Sequence, residues 1–229
     1  YPFRFDAAKA ERACAFAELM PHVKGRWAAN HERIRLEPFQ CFRRSMIFGW
    51  VEKATGHRRF RLSYEERPRK NAKSTDAAID GLYLFAAERE FGAEVYSGAT
   101  SEKQAWEVFR PARQMAERTS AFLEHYGVEV NAKSLTILAT GSRFEPVIGK
   151  PGDGASPSTA IVDEYHEHLD STLYDTMETG MGAREQPLLF VITTAGDDIA
   201  GPCYGLRDRV LKMLDGAADD RLFGIVYTI

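Results

Sequence analysis

Apolar and polar residues alternate along this chain in two different periods, which predict strands and helices. From Phe60 to Glu66, Phe, Leu and Tyr alternate with Arg, Ser and Glu, the period-two pattern of a strand. From Asp76 to Arg89 the apolar residues recur at helical spacing. Residues 67–75 between them therefore predict a loop that leads from a strand into the N-terminus of a helix.

The same periods predict alternating elements over the rest of the chain. Helices are predicted over residues 6–20, 38–54, 73–90, 101–118, 171–181 and 204–214. Strands are predicted over residues 93–99, 134–139, 142–148, 159–164, 187–194 and 222–229. A hairpin turn is expected at Thr140-Gly141, and a mobile loop at 149–157, where three glycines and two prolines fall. This order favours an α/β fold with a mostly parallel central sheet and helices on both faces.

Length and composition allow one substantial hydrophobic core. The chain has 229 residues, 44% of them hydrophobic, so we expect one domain, with residues 1–58 as a helical lead-in and 59–229 as the core. No apolar run approaches the roughly eighteen residues of a membrane helix, and no signal-peptide pattern occurs. A cytosolic protein without a membrane role is therefore predicted. Because the chain starts at Tyr1 and ends in an apolar run, we expect a piece of a longer polypeptide.

Charge and cysteines exclude some classes of protein and leave others open. The net charge of −3 does not by itself indicate a nucleic-acid binder, although basic residues are dense between Arg58 and Lys73. The cysteines, Cys14, Cys41 and Cys203, are odd in number and contain no C-x-x-C pair. Reduced thiols are expected, not a disulfide framework or a zinc site.

The loop at 67–75 carries a Lys73-Ser74 pair where a helix begins. Unpaired backbone N–H groups and the positive end of the helix dipole attract an anion there. Lys73 is positioned to reach outer phosphates, and Ser74 to bind Mg²⁺. Arg67 and Ala72, however, stand where the phosphate-loop pattern has glycines, so the loop alone is equally compatible with a basic surface loop.

A second motif strengthens the nucleotide interpretation. Residues 159–164 form a short apolar strand that ends in Asp163 and Glu164. Strand alternation would point the two carboxylates to opposite sides, so we expect Asp163 to hold Mg²⁺ and Glu164 to polarise an attacking water. With the Lys73-Ser74 loop, this pair indicates a site of ATP hydrolysis.

Three further groups each have two interpretations. Thr193–Gly196 ends a buried strand and is either an ordinary strand exit or a source of hydroxyls for a γ-phosphate or water. His166 and His168 would need a third ligand for a metal site, and none is apparent, so solvated or capping histidines are simpler. Gln40 opens a helix, yet its amide also suits an adenine edge.

Taken in order, six segments resemble a known family. They are Glu37–Gln40, Pro68–Thr75, Ala93–Thr100 with Gln104-Ala105, Ile161–His166, Gly182–Arg184 and Thr193–Gly196. The chain resembles, over nearly its whole length, the ATPase domain of the large terminase subunit of tailed bacteriophages. The resemblance implies a P-loop NTPase of the additional-strand, catalytic-glutamate type, with the Thr193-Thr194 strand between the phosphate-loop strand and the Asp163 strand.

The resemblance also implies a function and partners. It implies a motor, a homo-oligomeric ring and in the family a pentamer, that uses ATP and Mg²⁺ to push double-stranded DNA through a portal protein into a procapsid. The small terminase subunit is a further expected partner, and the cytoplasm of the infected bacterial host is the expected location. The family's C-terminal nuclease has no room after Thr194, so we expect this fragment to hydrolyse ATP without cutting DNA.

Roles for individual residues follow from the resemblance. It implies that Gln40 contacts adenine and that Glu164 activates water. Phosphate contacts are implied for Arg69, Lys70, Asn71, Ala72, Lys73, Ser74 and Thr75. Mg²⁺ ligation is implied for Ser74 and Asp163, and coupling of hydrolysis to movement for Thr193, Thr194, Ala195 and Gly196.

Two positions depart from the family pattern. Ala72 replaces a common glycine, which would distort the loop if its φ is positive. Asp153 and Gly154 occupy the region where some terminases carry an arginine that completes a neighbour's site. Arg143 and Arg184 are the alternatives for that role, with Arg69 acting in cis, although each also suits a surface salt bridge.

Two other functions share these motifs. A helicase-like DNA translocase would have the same loop and acidic pair, but should show further nucleic-acid motifs and a second motor domain. A nucleotide-binding assembly module would bind ATP and be inactive as a monomer. Whether turnover per subunit rises with protein concentration distinguishes the last case.

Overall fold

A computed structural model describes residues 1–88, 90–148 and 155–227. The helices of this part are α1 (Ala7–Leu19), α2 (Gly25–Ala29), α3 (Pro38–Gly49), α4 (Lys73–Leu82), α5 (Glu102–Glu117), α6 (Ser120–Tyr126), α7 (Thr172–Gly180) and α8 (Pro202–Leu214). Its strands are β1 (Phe3–Phe5), β2 (Trp50–Glu52), β3 (Leu62–Glu66), β4 (Glu94–Ala99), β5 (Val128–Val130), β6 (Leu135–Ile137), β7 (Ser142–Ile148), β8 (Thr159–Asp163), β9 (Leu188–Thr193) and β10 (Leu222–Val226). A π-helical turn, Tyr83–Ala87, continues α4.

The central sheet is mostly parallel. Its strand order across the described residues is β10-β3-β9-β8-β4-β7-β6-β5, parallel from β10 to β7 and antiparallel beyond. Strand β9 lies between β3 and β8, as the family resemblance implied. Glu66 pairs with Thr193, and Asp163 pairs with Ile192. The carboxyl ends of these three strands therefore meet at one edge of the sheet.

Hydrophobic cores on both faces of the sheet confirm the predicted α/β fold. One core joins residues of α1, α3, α4, α5 and the π-helical turn to the sheet. The other joins α7 and α8 to it. Strand β3 serves both sides, since Leu62 and Tyr64 pack with α8, while Glu65 faces Arg43 of α3. No helix in the described residues is long and apolar enough to cross a bilayer.

Charged side chains are buried where α3, α4 and β3 meet. We call the group Arg43, Arg44, Glu65, Arg67, Asp76 and Asp80 the buried ion cluster; each is at most 2% exposed. Asp80 accepts from Arg44 Nε at 3.0 Å and from Arg43 Nη2. Although burial alone would lower the pKa of Arg43, the carboxylates of Asp80 and Glu65 raise it, so this guanidinium stays charged.

The structure corrects several predicted boundaries. The helix predicted to reach residue 54 ends at Gly49, and residues 50–52 pair with β1 instead. A Cβ at Gly49 would lie 2.5 Å from Phe5 Cε2, so the glycine permits this close approach. Helices α2 and α6 and strands β1 and β5 were not predicted, and each is seven residues or shorter. Residues 149–154 of the predicted loop, and the last two of the predicted final strand, lie outside the described residues.

Candidate functional site

The loop between β3 and α4 has the backbone of an anion-binding turn. Lys70 and Ala72 have φ values of 66° and 56°, both in the left-handed region. Ala72 caps α4, and Lys73 is the first residue of that helix. The φ of Ala72 is thus positive, and an L-residue other than glycine holds this conformation at a cost of about 1–2 kcal/mol.

Arg67 anchors the start of the loop. Its guanidinium donates to Asp76 Oδ2 at 2.7 Å and lies 3.2 Å from Glu65 Oε2, inside the buried ion cluster. Its backbone N–H donates to Thr193 O at 3.0 Å, which ties the loop to β9. From the sequence, Arg67 was interpreted as a replaced glycine and as one of the basic residues of a phosphate-facing loop, not as a buried anchor. The signal available was its place between two acidic residues, Glu65 and Asp76, in elements expected to pack.

Lys73, Ser74 and Asp163 come together under the loop. Ser74 Oγ donates to Asp163 Oδ2 at 2.9 Å, and Lys73 Nζ donates to Arg67 O at 3.3 Å. Burial lowers the pKa of Lys73, while Glu164 and Asp163 oppose that shift. Burial also raises the pKa of Asp163 to about 6, despite the hydrogen bond from Ser74 that lowers it. A hydroxyl and a carboxylate oxygen 2.9 Å apart are hard donors, and they fit a Mg²⁺ ion.

Glu164 follows the end of β8 in a left-handed turn, with φ at 47°. The expectation that strand alternation separates the two carboxylates is therefore wrong, because the strand stops at Asp163. The turn itself separates them: Asp163 lies against Ser74, and Glu164 lines the cleft above. Glu164 Oε2 is buried and has no hydrogen-bond partner among the described residues.

Two adjoining clefts surround the loop. The phosphate-side cleft, of about 510 Å³, is lined by Arg69, Lys70, Asn71, Ala72, Lys73, Ser74, Thr75 and Glu164, and also by Lys24, Glu107, Pro111 and Glu167. The second, of about 520 Å³, shares Lys70–Ala72 and Thr75 and includes Gln40, Trp27 and Ile34. Every residue predicted to touch phosphate therefore lines one cleft, and Gln40 lines its neighbour.

The side-chain amide of Gln40 already makes two hydrogen bonds within the protein. It is 8% exposed. Its Oε1 accepts from Glu37 N at 2.9 Å, and its Nε2 donates to Asp76 Oδ1 at 2.7 Å. These bonds use one lone pair and one N–H, so a second of each is left for a ligand.

The segment Thr193–Gly196 meets the acidic pair through a histidine. His166 Nδ1 lies 2.9 Å from Thr193 Oγ1 and 3.4 Å from Glu164 Oε2. Ala195 and Gly196 line a separate cavity of about 160 Å³. His168 Nε2 contacts Asp163 O at 3.1 Å. Within the described residues no three side chains of His, Cys, Asp or Glu form a metal cluster. The expectation of solvated histidines is wrong, because His168 is 5% exposed and the side chain of His166 is 11% exposed.

The candidate arginines are not all near the cleft. Arg143 Nη2 lies 3.1 Å from Glu94 Oε2, and Arg184 Nη2 lies 3.6 Å from Glu94 Oε1. Glu94 begins β4, at the edge of the sheet opposite the phosphate loop. Arg69, in contrast, is exposed and lines the phosphate-side cleft. Asp153 and Gly154 lie outside the described residues.

Comparisons with known proteins identify one family. The model for the terminase large subunit ATPase domain matches residues 38–212. The terminase large subunit of Enterobacteria phage HK97 is 30% identical over 194 residues, 81% of this chain and 36% of that protein. Protein YmfN of Escherichia coli (strain K12) is 59% identical over 81 residues, 35% of this chain and 18% of that protein.

A solved structure gives the same result. The crystal structure of the HK97 bacteriophage large terminase is similar with a TM-score of 0.79 at 26% identity, and covers 96% of this chain and 44% of that one. The chain therefore spans less than half the length of the relatives it matches. These matches do not favour the helicase-like and assembly-module alternatives.

Proposed function

Since this chain belongs to the family of terminase large subunit ATPase domains, we propose that it hydrolyses ATP to drive double-stranded DNA into a viral procapsid. The observation that carries the proposal is the convergence of Lys73, Ser74, Asp163 and Glu164 at the N-terminus of α4. Phosphoryl transfer uses these functional groups: backbone N–H donors, a lysine, a hydroxyl and two carboxylates.

In this proposal the nucleotide spans the two clefts. The phosphates lie on Arg69–Thr75, where the loop and the helix N-terminus provide N–H donors and positive charge. The base enters the cleft of Trp27, Ile34 and Gln40, and uses the second N–H and lone pair of the Gln40 amide.

Ser74 and Asp163 would hold Mg²⁺ in place of their present hydrogen bond. When bound, the ion neutralises negative charge on the phosphates. Lys73 supplies further positive charge at the outer phosphates. Glu164, which faces the same cleft, orients an attacking water toward the γ-phosphate.

An arginine would complete the site by stabilising the charge of the transition state. Arg69 is placed for that role within one subunit, because it is exposed in the phosphate-side cleft. Arg143 and Arg184 would serve only a neighbouring subunit, and would first have to leave Glu94. Among these candidates we therefore propose Arg69 as the first to test.

A basic groove supports the proposal that DNA is a partner. The groove, of about 870 Å³, is lined by His22, Lys24, His31, Arg33 and Arg118, with no carboxylate among its lining residues. We propose that phosphodiester groups bind in this basic groove, because phosphate contacts supply most of the sequence-independent affinity of such proteins. We further propose that copies of this chain assemble into a ring and that a portal protein and a small terminase subunit are its protein partners. The proposed location is the host cytoplasm.

Steady-state ATP hydrolysis, measured with Mg²⁺ against protein concentration, tests this function. We expect turnover per subunit to rise with concentration, and Glu164→Gln to abolish it. Glu167→Gln changes a more exposed carboxylate of the same cleft; it is the matched control and should retain turnover within about twofold. Equal turnover for the wild type and Glu164→Gln would contradict the proposed role of Glu164.

A further inference from the structure

We propose that His166 is a positioning residue that links the orientation of Glu164 to the Thr193–Gly196 segment. The inference rests on the proposed ATP hydrolysis and adds a physical connection between its catalytic carboxylate and the end of β9. His166 lies between the two: its Nδ1 is 2.9 Å from Thr193 Oγ1 and 3.4 Å from Glu164 Oε2.

The hydrogen bonds around Thr193 assign the proton on His166. The Thr193 hydroxyl has one proton, which it donates to Thr194 O at 3.0 Å. Thr193 Oγ1 therefore accepts from the backbone N–H of His166, at 3.1 Å, and from Nδ1. This pattern favours the tautomer with the proton on Nδ1, in which Nε2 accepts from Thr194 Oγ1 at 3.3 Å.

Glu164 is poised between two environments. Its Oε2 is buried without a hydrogen bond among the described residues, a costly state for a carboxylate oxygen. The Nδ1 of His166 is 3.4 Å away, so a movement of about half an ångström would bring it to hydrogen-bond distance, and its N–H would then exchange Thr193 Oγ1 for Glu164 Oε2 as acceptor. The position of His166 therefore decides whether Glu164 is held at the side of the cleft or released toward it.

The Thr193–Gly196 segment controls that position through direct contact. A Cβ on Gly196 would lie 2.8 Å from the Cβ of His166, so the backbone of Gly196 closes against this side chain. With the Thr193 and Thr194 hydroxyls, the segment contacts His166 at its backbone, Cβ and ring. Movement of the segment would therefore move His166 and reorient Glu164.

Three substitutions of His166 test the link, because they separate the two ring nitrogens. An asparagine amide can place an N–H near Nδ1, whereas a glutamine amide reaches the position of Nε2. We expect His166→Ala and His166→Gln to lower kcat for ATP about tenfold, with KM changed by less than about twofold, and His166→Asn to stay within about threefold of the wild type.

Thr193→Val, alone and combined with His166→Ala, supplies the second measurement. If the two residues act as one unit, the double variant loses no more kcat than the more impaired single variant. An equal loss for Ala, Gln and Asn, accompanied by a lower thermal midpoint, would mean a merely structural role. Fully additive losses would also overturn the link.

Glu164→Gln separates the failure of this inference from that of the proposed function. An inactive Glu164→Gln together with wild-type kcat in His166→Ala would overturn only the link. An active Glu164→Gln would remove both, because Glu164 would then not be the catalytic carboxylate.

Discussion

Ala72 stores backbone strain at the point where the phosphate loop enters α4. Its φ of 56° favours glycine, so Ala72→Gly should stabilise the fold. The gain should be about 0.5–1 kcal/mol, since the greater freedom of glycine in the unfolded chain offsets part of the relief. Urea unfolding measures this difference.

Ala15→Gly is the matched control for that substitution. Ala15 is also exposed, but it lies within α1, where glycine costs about 1 kcal/mol. The two variants should therefore shift the free energy of unfolding in opposite directions. A loss of stability in both would show that the φ of Ala72 carries no strain.

Asp163 should make stability depend on pH in the metal-free protein. Burial raises its pKa to about 6, above the ordinary 3.8, so the folded state binds this proton more tightly than the unfolded state. The stabilising contribution of Asp163 to the free energy of unfolding is therefore present below about pH 4 and is lost as the pH rises through 6. At pH 7.5 Asp163→Asn should be more stable than the wild type by about 3 kcal/mol.

Thermal unfolding in EDTA at both pH values tests the sign. The advantage of Asp163→Asn should fall below about 1 kcal/mol at pH 4, where the wild-type carboxyl is protonated in the folded state and about half protonated in the unfolded state. An advantage of the same size at pH 4 would rule out titration of Asp163 as its cause. The asparagine variant should also lose ATP hydrolysis, so the burial of this carboxyl favours function at the expense of stability.

At the scale of elements, the buried ion cluster joins α3, α4 and β3. Asp80 accepts from both Arg43 and Arg44, so Asp80→Ala would leave two buried guanidinium groups short of a partner. We expect a loss of about 3–5 kcal/mol in the free energy of unfolding. Equilibrium denaturation measures it.

Asp208→Ala is the control for Asp80. The Asp208–Lys212 pair, on the surface of α8, has side chains 51% and 69% exposed, and such pairs contribute less than about 1 kcal/mol. If Asp80→Ala cost no more than Asp208→Ala, the buried ion cluster would not be what holds α3 and α4 to the sheet.

Periodicity located elements that the local order of apolar and polar residues reveals, even where both faces are buried. Strand β3 and helix α4 were predictable in this way, and the position of Lys73 and Ser74 between them followed directly. The strand at residues 50–52 could not be predicted in this way, because it depends on pairing with β1, which is far away in the sequence. The anchoring of Arg67 and the contacts of His166 depend on the packing of β9 beside β3 and β8, which local pattern does not encode.

At the scale of the whole molecule, the charge is unevenly distributed. The net charge is −3, yet the basic groove combines Lys24, Arg33 and Arg118 without a lining carboxylate. Arg118→Ala should therefore weaken binding of duplex DNA and reduce the slope of log affinity against log salt by about one. Fluorescence anisotropy across a salt series measures both quantities.

Lys212→Ala is the control, because Lys212 is an exposed lysine of α8. Helix α8 packs with α7 in one hydrophobic core, whereas α1 and α5 belong to the other. It should leave the salt slope unchanged. If both variants reduced the slope equally, DNA would be contacting the protein through general surface charge and not through the basic groove.

The hydrogen bond from Arg67 N to Thr193 O, at 3.0 Å, has a mechanical consequence. The first amide of the phosphate loop is hydrogen-bonded to the last residue of β9, where the Thr193–Gly196 segment begins. Strand β9 also pairs with β8. The loop and the two strands are therefore hydrogen-bonded side by side. A displacement of the loop would reach β9 and β8 directly through these bonds.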